Sequence, residues 1–173
     1  MKYVCLFAAA IAMIAGARLV AFPEGAPWGA ADPTVQDHCA SCHWERPAKM
    51  QSSQISLTGF PQRFVPGETY ELVLTLTDDQ MKTSGFQLLA EAEDQPAGVF
   101  KTSDDDLEIA LTGTAIRSIT PKVAIGHRVR WKVRWQTPTR MEAPIRFVMA
   151  ASAANDDGSP FGDVIHYQTV RVE

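Results

Sequence analysis

Val129, Trp131, Val133 and Trp135 alternate with Arg128, Arg130, Lys132 and Arg134 along one unbroken stretch of the chain. A period of two puts the apolar set on one face of a β-strand and the cations on the other. Extended back by two residues, the pattern assigns His127 to the face of Val129 and Trp131. The run Thr69–Thr77 repeats it, with Tyr70, Leu72, Leu74 and Leu76 on one side and Glu71, Val73, Thr75 and Thr77 on the other. Further short runs rich in β-branched, aromatic and other apolar residues fall at Gln54–Thr58, Gly85–Glu91, Gly98–Thr102, Leu107–Thr112, Ile145–Ala151 and Val164–Val172. Turn residues at Pro66-Gly67-Glu68, Asp104-Asp105-Asp106, Thr137-Pro138 and Asn155-Asp156-Asp157-Gly158 separate several of them. No helical periodicity of comparable length competes, so residues 51–173 are predicted to form an all-β antiparallel sandwich. Residues 22–50, rich in Pro, Gly, Ala and Trp, show no sustained period and read as an irregular arm.

Before that arm, residues 1–21 carry Lys2, an apolar run from Val4 to Ala15 and small residues around Ala15-Gly16-Ala17 and Leu19-Val20-Ala21. This is the pattern of a secretory signal, too short before Arg18 for a membrane span. The expected location is extracytoplasmic, in the periplasm, with no membrane span in the mature chain. With 16 basic and 20 acidic residues the formal net charge is −4, which argues against nucleic acid as a partner.

The chemistry concentrates in the arm. Beyond Cys5, which belongs to the signal, the only cysteines lie in Cys39-Ala40-Ser41-Cys42-His43. C-x-x-C-H is the attachment site of a c-type haem. Thiols two residues apart can form thioethers with both vinyl groups, and the next residue then reaches the iron. The expectation is one covalent haem c, held by Cys39 and Cys42 with His43 as proximal ligand. A Cys39–Cys42 disulfide would close a small strained ring and leave His43 unexplained. Zinc would need two further ligands at suitable spacing, and a thioredoxin-like motif needs a βαβ setting that this pattern lacks. Trp28 and Trp44 flank the motif and are candidates for packing on the porphyrin; Arg46 and Lys49 are candidates for its propionates.

Several segments together resemble a known family: Gly25-Ala26-Pro27, the Cys-x-x-Cys-His stretch, Gln54-Ile55-Ser56-Leu57-Thr58-Gly59-Phe60-Pro61, Phe64-Val65-Pro66-Gly67-Glu68-Thr69-Tyr70, Ser84-Gly85-Phe86-Gln87-Leu88-Leu89-Ala90, Trp131-Lys132-Val133-Arg134-Trp135-Gln136-Thr137-Pro138 and Ala153-Ala154-Asn155-Asp156-Asp157-Gly158 leading to Gly162-Asp163. They look like the bacterial reeler-like sandwich domains known as choice-of-anchor V domains. The resemblance covers nearly all of the chain after the signal and implies an immunoglobulin-like sandwich with an N-terminal Cys-x-x-Cys-His arm. Where that family carries a His after a Thr, this chain has Thr120-Pro121, so no distal ligand is carried over there. A weaker likeness is to cytochrome f, whose N-terminal aromatic amine binds iron. Cleavage after Ala21 would expose Phe22-Pro23 in that role.

The distal candidates are therefore His127, then the Phe22 amine, Met50 and His166. Nothing in the chain resembles a nucleophile–base pair, a phosphate loop or paired catalytic carboxylates. The reading is a monohaem electron-transfer protein, not an enzyme, with redox proteins or a membrane electron-transfer complex as partners. The alternative is a haem-free adhesion or binding module whose two cysteines form a disulfide.

Overall fold

The computed structural model describes residues 25–140 and 143–172. The expected signal segment and Phe22 lie outside them. One helical turn, α1 (Cys39–Cys42), precedes twelve strands. In chain order these are β1 (Ile55–Thr58), β2 (Thr69–Thr77), β3 (Thr83–Ser84), β4 (Phe86–Ala92), β5 (Gln95–Pro96), β6 (Val99–Lys101), β7 (Leu107–Ile109), β8 (Ala115–Ser118), β9 (Lys122–Val123), β10 (Arg128–Gln136), β11 (Ile145–Ala153) and β12 (Val164–Val172).

Two antiparallel sheets face each other. One runs β1-β2-β10-β6; the other runs β12-β11-β4-β8-β7, with β5 paired to β4. The two long alternating runs of the sequence are neighbours, with Leu74 opposite Trp131 and Leu72 opposite Val133. Their buried faces meet Leu88, Ile116, Phe147 and Met149 from the second sheet. Aromatic rings interlock across this core. Trp135 meets Phe147 edge-on at 4.9 Å and Phe64 at 5.3 Å, while Phe86 sits 4.8 Å from Trp131. Such pairs add packing energy beyond the area they bury.

Four short strands escaped the sequence pattern. Strand β8 shows why: Ala115, Ile116 and Ser118 are buried and Arg117 is half-buried, so little alternation marks it. The expected start of the strand at His127 is also corrected. Gly126 and His127 have φ of +58° and +61° and join Ile125 to Arg128 in a two-residue turn. Positive φ at both central positions is the signature of a type I′ hairpin. The turn turns His127 out of the strand's alternation, and its side chain is exposed instead of sharing the face of Val129.

The segment before β1 is laid over the outer face of the second sheet. Ala31, Ala150, Ile165 and Tyr167 form a small buried cluster there, with Cys39, Ala40, Ala48 and Leu89 packed against it. The Lys49 N–H donates to the Ile165 carbonyl (2.8 Å), the Tyr167 N–H to that of Lys49 (2.9 Å) and the Ser52 N–H to that of Tyr167 (2.8 Å). These bonds extend the edge of β12 with a parallel bridge, which hides the unpaired groups of an edge strand. Gln87 fastens the segment's beginning, accepting from the Ala31 N–H and donating to the Pro27 carbonyl at 2.9 Å. Arg117 donates to the Ala26 carbonyl and to Glu108, and its guanidinium stacks 4.3 Å over the Trp28 ring.

Candidate cofactor site

Between this segment and the outer face of the second sheet lies a cavity of about 550 Å³, within the range of cofactor-sized sites. His38, Cys39, Cys42 and His43 lie along one side. Phe86, Ala150, Ala151 and Ile165 contribute apolar surface from the sheet, and Ile119 and Pro121 from the loop after β8. The Cys-x-x-Cys spacing places its two thiols on one helical turn, where residues three apart share a face.

Strand β12 sets the position of that turn. Its outward side chains Ile165 and Tyr167, with Asp163 immediately before the strand, lie at every second residue, and each serves the motif. The Tyr167 hydroxyl accepts the Ala40 N–H at 2.9 Å and pairs with His38 Nδ1 at 3.0 Å. It thereby satisfies one of the free N–H groups at the start of the turn. Burial holds the Tyr167 hydroxyl protonated, well above the ordinary tyrosine range. Ile165 lines the cavity and carries the backbone bond to Lys49. Asp163, only 3% exposed, brings Oδ2 to 2.9 Å from His43 Nδ1. The approach is that of an ion pair lying off the line of a hydrogen bond, and His43 Nδ1 is itself shielded from solvent. Nε2 is the ring nitrogen left for a metal.

The thiols are unpaired. Burial pushes the Cys39 thiol up to about 12, against a lowering contribution from its own backbone. A thiol held neutral is a weaker nucleophile than a thiolate. Among the described residues no group of three or more His, Cys, Asp or Glu side chains gathers to hold a bare metal ion. The donor set does fit a haem: two unpaired thiols one turn apart, an imidazole with its second nitrogen facing a carboxylate, and a largely apolar cavity beside them.

The other sequence candidates lie elsewhere. Trp28 is engaged by Arg117, and Trp44, 62% exposed, packs on Phe161; neither lines the cavity. Arg46 donates to Gln80, and Lys49 to Gln54 and Asp78, so both cations are partnered by the sandwich. His127 and Met50 are exposed and outside the cavity lining. His166 is fully buried on the opposite side of β12, between Ser52 Oγ (2.9 Å from Nδ1) and Asp78 Oδ2 (3.3 Å from Nε2). Burial and the Lys49 charge depress it to about 4. The cationic stripe Arg128, Arg130, Lys132 and Arg134 sits on the outer face of the first sheet, away from the cavity. Two residues of the site, Tyr167 and Asp163, have no role in the sequence reading. Asp163 stands in the Gly162-Asp163 pair of the resembling segments, and the run Val164-Ile165-His166-Tyr167 lacks a strict apolar–polar alternation, the pattern of a strand covered on both faces.

The fold has a counterpart among solved proteins. The Reelin-N domain of F-spondin superposes with a TM-score of 0.54 at 20% identity, over 77% of this chain and 94% of that one. The fold is reeler-like. A reeler domain of human F-spondin matches at TM-score 0.48 and 19% identity, over 73% of this chain and 94% of its own. A bacterial hydrophobin, BslA, matches at 0.40 and 12%, over 69% and 90% of the two chains. No protein-family model matches the chain, and no curated protein does. These likenesses bear on the sandwich alone; they add nothing to the likeness to cytochrome f. Among the described residues no helix is long and apolar enough to cross a membrane.

Proposed function

We propose that the chain is an exported monohaem c-type cytochrome that carries electrons in the periplasm. The observation that carries the reading is the meeting of Cys39, Cys42 and His43 at one cofactor-sized cavity, with the His43 Nδ1 facing buried Asp163. Cys39 and Cys42 hold the group covalently, and His43 offers Nε2 to its metal. Bound there, haem c supplies a one-electron centre. Tyr167 and the Lys49–Ile165 backbone bond fix the motif against β12, so the cavity keeps its shape when charge is gained or lost. Phe86, Ala150 and Ile165 exclude water from the sheet side. No catalytic role is assigned, and the partners are other redox proteins or a membrane electron-transfer complex.

A second reading has its own support. The sandwich is similar to that of the Reelin-N domain of F-spondin. A haem-free extracytoplasmic binding module would use the same cavity for an apolar ligand and close Cys39 and Cys42 as a disulfide. Expression with haem-maturation machinery, followed by intact mass and visible spectra, separates the two. A mass increased by one haem and a Soret band that persists after denaturation support the cytochrome. A chain two hydrogens light, with no Soret band, supports the binding module.

A further inference from the structure

Asp163 has no part in any sequence motif of haem attachment, yet it is the buried charge nearest to the candidate proximal ligand. Its Oδ2 stands 2.9 Å from His43 Nδ1, and its Oδ1 accepts the Asn155 N–H at 3.1 Å. The neighbouring Gly162 is gripped as well: its N–H donates to Glu45 Oε2 at 2.6 Å and its carbonyl accepts from Arg46. The carboxylate is therefore fixed from the Asn155 side and through the residue before it. No lysine or arginine lines the cavity among the described residues, whereas Asp37, Asp156 and Asp157 do. On the cavity side no cation faces the Asp163 carboxylate, and at 3% exposure its charge is poorly screened by solvent.

We infer that Asp163 sets the redox poise of this protein by charging the proximal ligand, and that the centre works at low potential. The inference rests on the cytochrome reading above. Although the approach lies off the line of a hydrogen bond, the negative charge beside Nδ1 favours the tautomer with its proton on that nitrogen, and an outer carboxylate raises the basicity of the other one. Greater donation from Nε2 and a nearby negative charge both favour the more positive, ferric state over the ferrous one. Asp163 is a positioning and tuning residue and does not touch the cofactor itself.

The test uses the full chain matured with haem, as wild type, Asp163→Asn and Asp163→Glu. Asp163→Asn keeps the Oδ1 acceptor for Asn155 and removes only the charge. The expected result is a ferric-to-ferrous preference reduced at least tenfold in Asp163→Asn, a rise of about 59 mV or more for a one-electron couple. Asp163→Glu keeps the charge and should stay nearer wild type in potential, whatever its longer side chain costs in thermal unfolding. A role limited to holding the loop would leave the potential in place. The His43 ring of the wild-type holoprotein gives an independent reading by NMR, expected as a solvent-protected proton on Nδ1. A ferric-to-ferrous preference reduced less than tenfold in Asp163→Asn, a rise smaller than about 59 mV, overturns the inference, as does a His43 ring lacking that proton should the variant not fold. Wild-type protein without covalent haem by mass overturns the cytochrome reading itself, and so is distinguishable from failure of the Asp163 assignment.

Discussion

Lowering the pH from 7 to 4 should loosen the clasp that holds the N-terminal segment to the sandwich, and His166 sets the size of the effect. The ring is fully buried, with Ser52 on one nitrogen, Asp78 near the other and the Lys49 ammonium bound to the same Asp78 oxygen. Burial and then Lys49 lower it from 6.5 to about 4, with Asp78 opposing them. The folded protein thus binds fewer protons here than the unfolded chain between those two values. Stability must fall as the pH drops through 6.5 and must stop falling, for this group, near 4. At about 1.36 kcal/mol for each pH unit separating the two values, the loss comes to about 3 kcal/mol. Asp78 continues it at lower pH. Burial alone would raise its carboxyl, but the Gln80 N–H, Lys49 and His166 together hold it below the ordinary range. Its contribution is lost only as the pH falls below that ordinary range.

Urea unfolding at half-unit steps from pH 7.5 to 4 measures this directly, with His166→Gln as the comparison. Wild type should lose about 3 kcal/mol more across the window than the variant, which has no proton to take up at this position. The absolute stability of the variant is immaterial; the slope decides. Parallel slopes in the two proteins would refute the assignment of the acid sensitivity to this cluster.

Three further expectations follow from particular contacts. Tyr167→Phe leaves the Ala40 N–H and His38 without their partner, so it should cost about 1–3 kcal/mol in urea unfolding and lower the yield of covalently loaded protein. Trp135→Ala opens the aromatic junction with Phe147 and Phe64, and a loss of about 3–5 kcal/mol is expected by thermal or chemical unfolding. Gly98→Ala adds a Cβ at φ +66° that would stand 2.5 Å from the Gln136 carbonyl and the Trp135 ring. Its cost should exceed about 1 kcal/mol, visible as a lowered unfolding temperature with the visible spectrum of loaded protein unchanged.

The long strands were legible because their energetics are local to the pattern. Each apolar residue of Thr69–Thr77 and Arg128–Gln136 that alternates in sequence is buried in the core, wholly or in part, and the charged residues between them are not. Strands β3, β5 and β9 are two residues each and have no room for a period. His127 failed for a different reason. Alternation was carried two residues beyond the strand into a turn, where backbone conformation and not burial decides direction. The distal candidates were chosen by residue type, and residue type says nothing about which side of β12 a histidine faces. His166 faces the Ser52–Asp78 cluster, one residue away from the cavity-lining Ile165. A single step along a strand reverses the face.

That same reversal explains how so short a motif can be held by a β-sandwich at all. A helical cytochrome can grip its cofactor with several packed helices, whereas here α1 is four residues long and none of them is fully buried. It cannot be stable by itself, since one turn fixes several residues for a single internal hydrogen bond. Its order must be imported, and β12 supplies it from alternate positions. Asp163 meets the histidine that ends the motif, Tyr167 meets the backbone near its start, and Ile165 between them takes the Lys49 bond that closes the segment down. The interposed side chains of the same strand, Val164 in the core and His166 in the clasp, anchor it from behind. A substitution on either face of β12 should therefore be felt on the other, with His166 variants changing the ease of haem loading although His166 does not line the cavity. Equal loading by wild type and His166→Gln at pH 7, under limiting maturation machinery, would show that the two faces act independently.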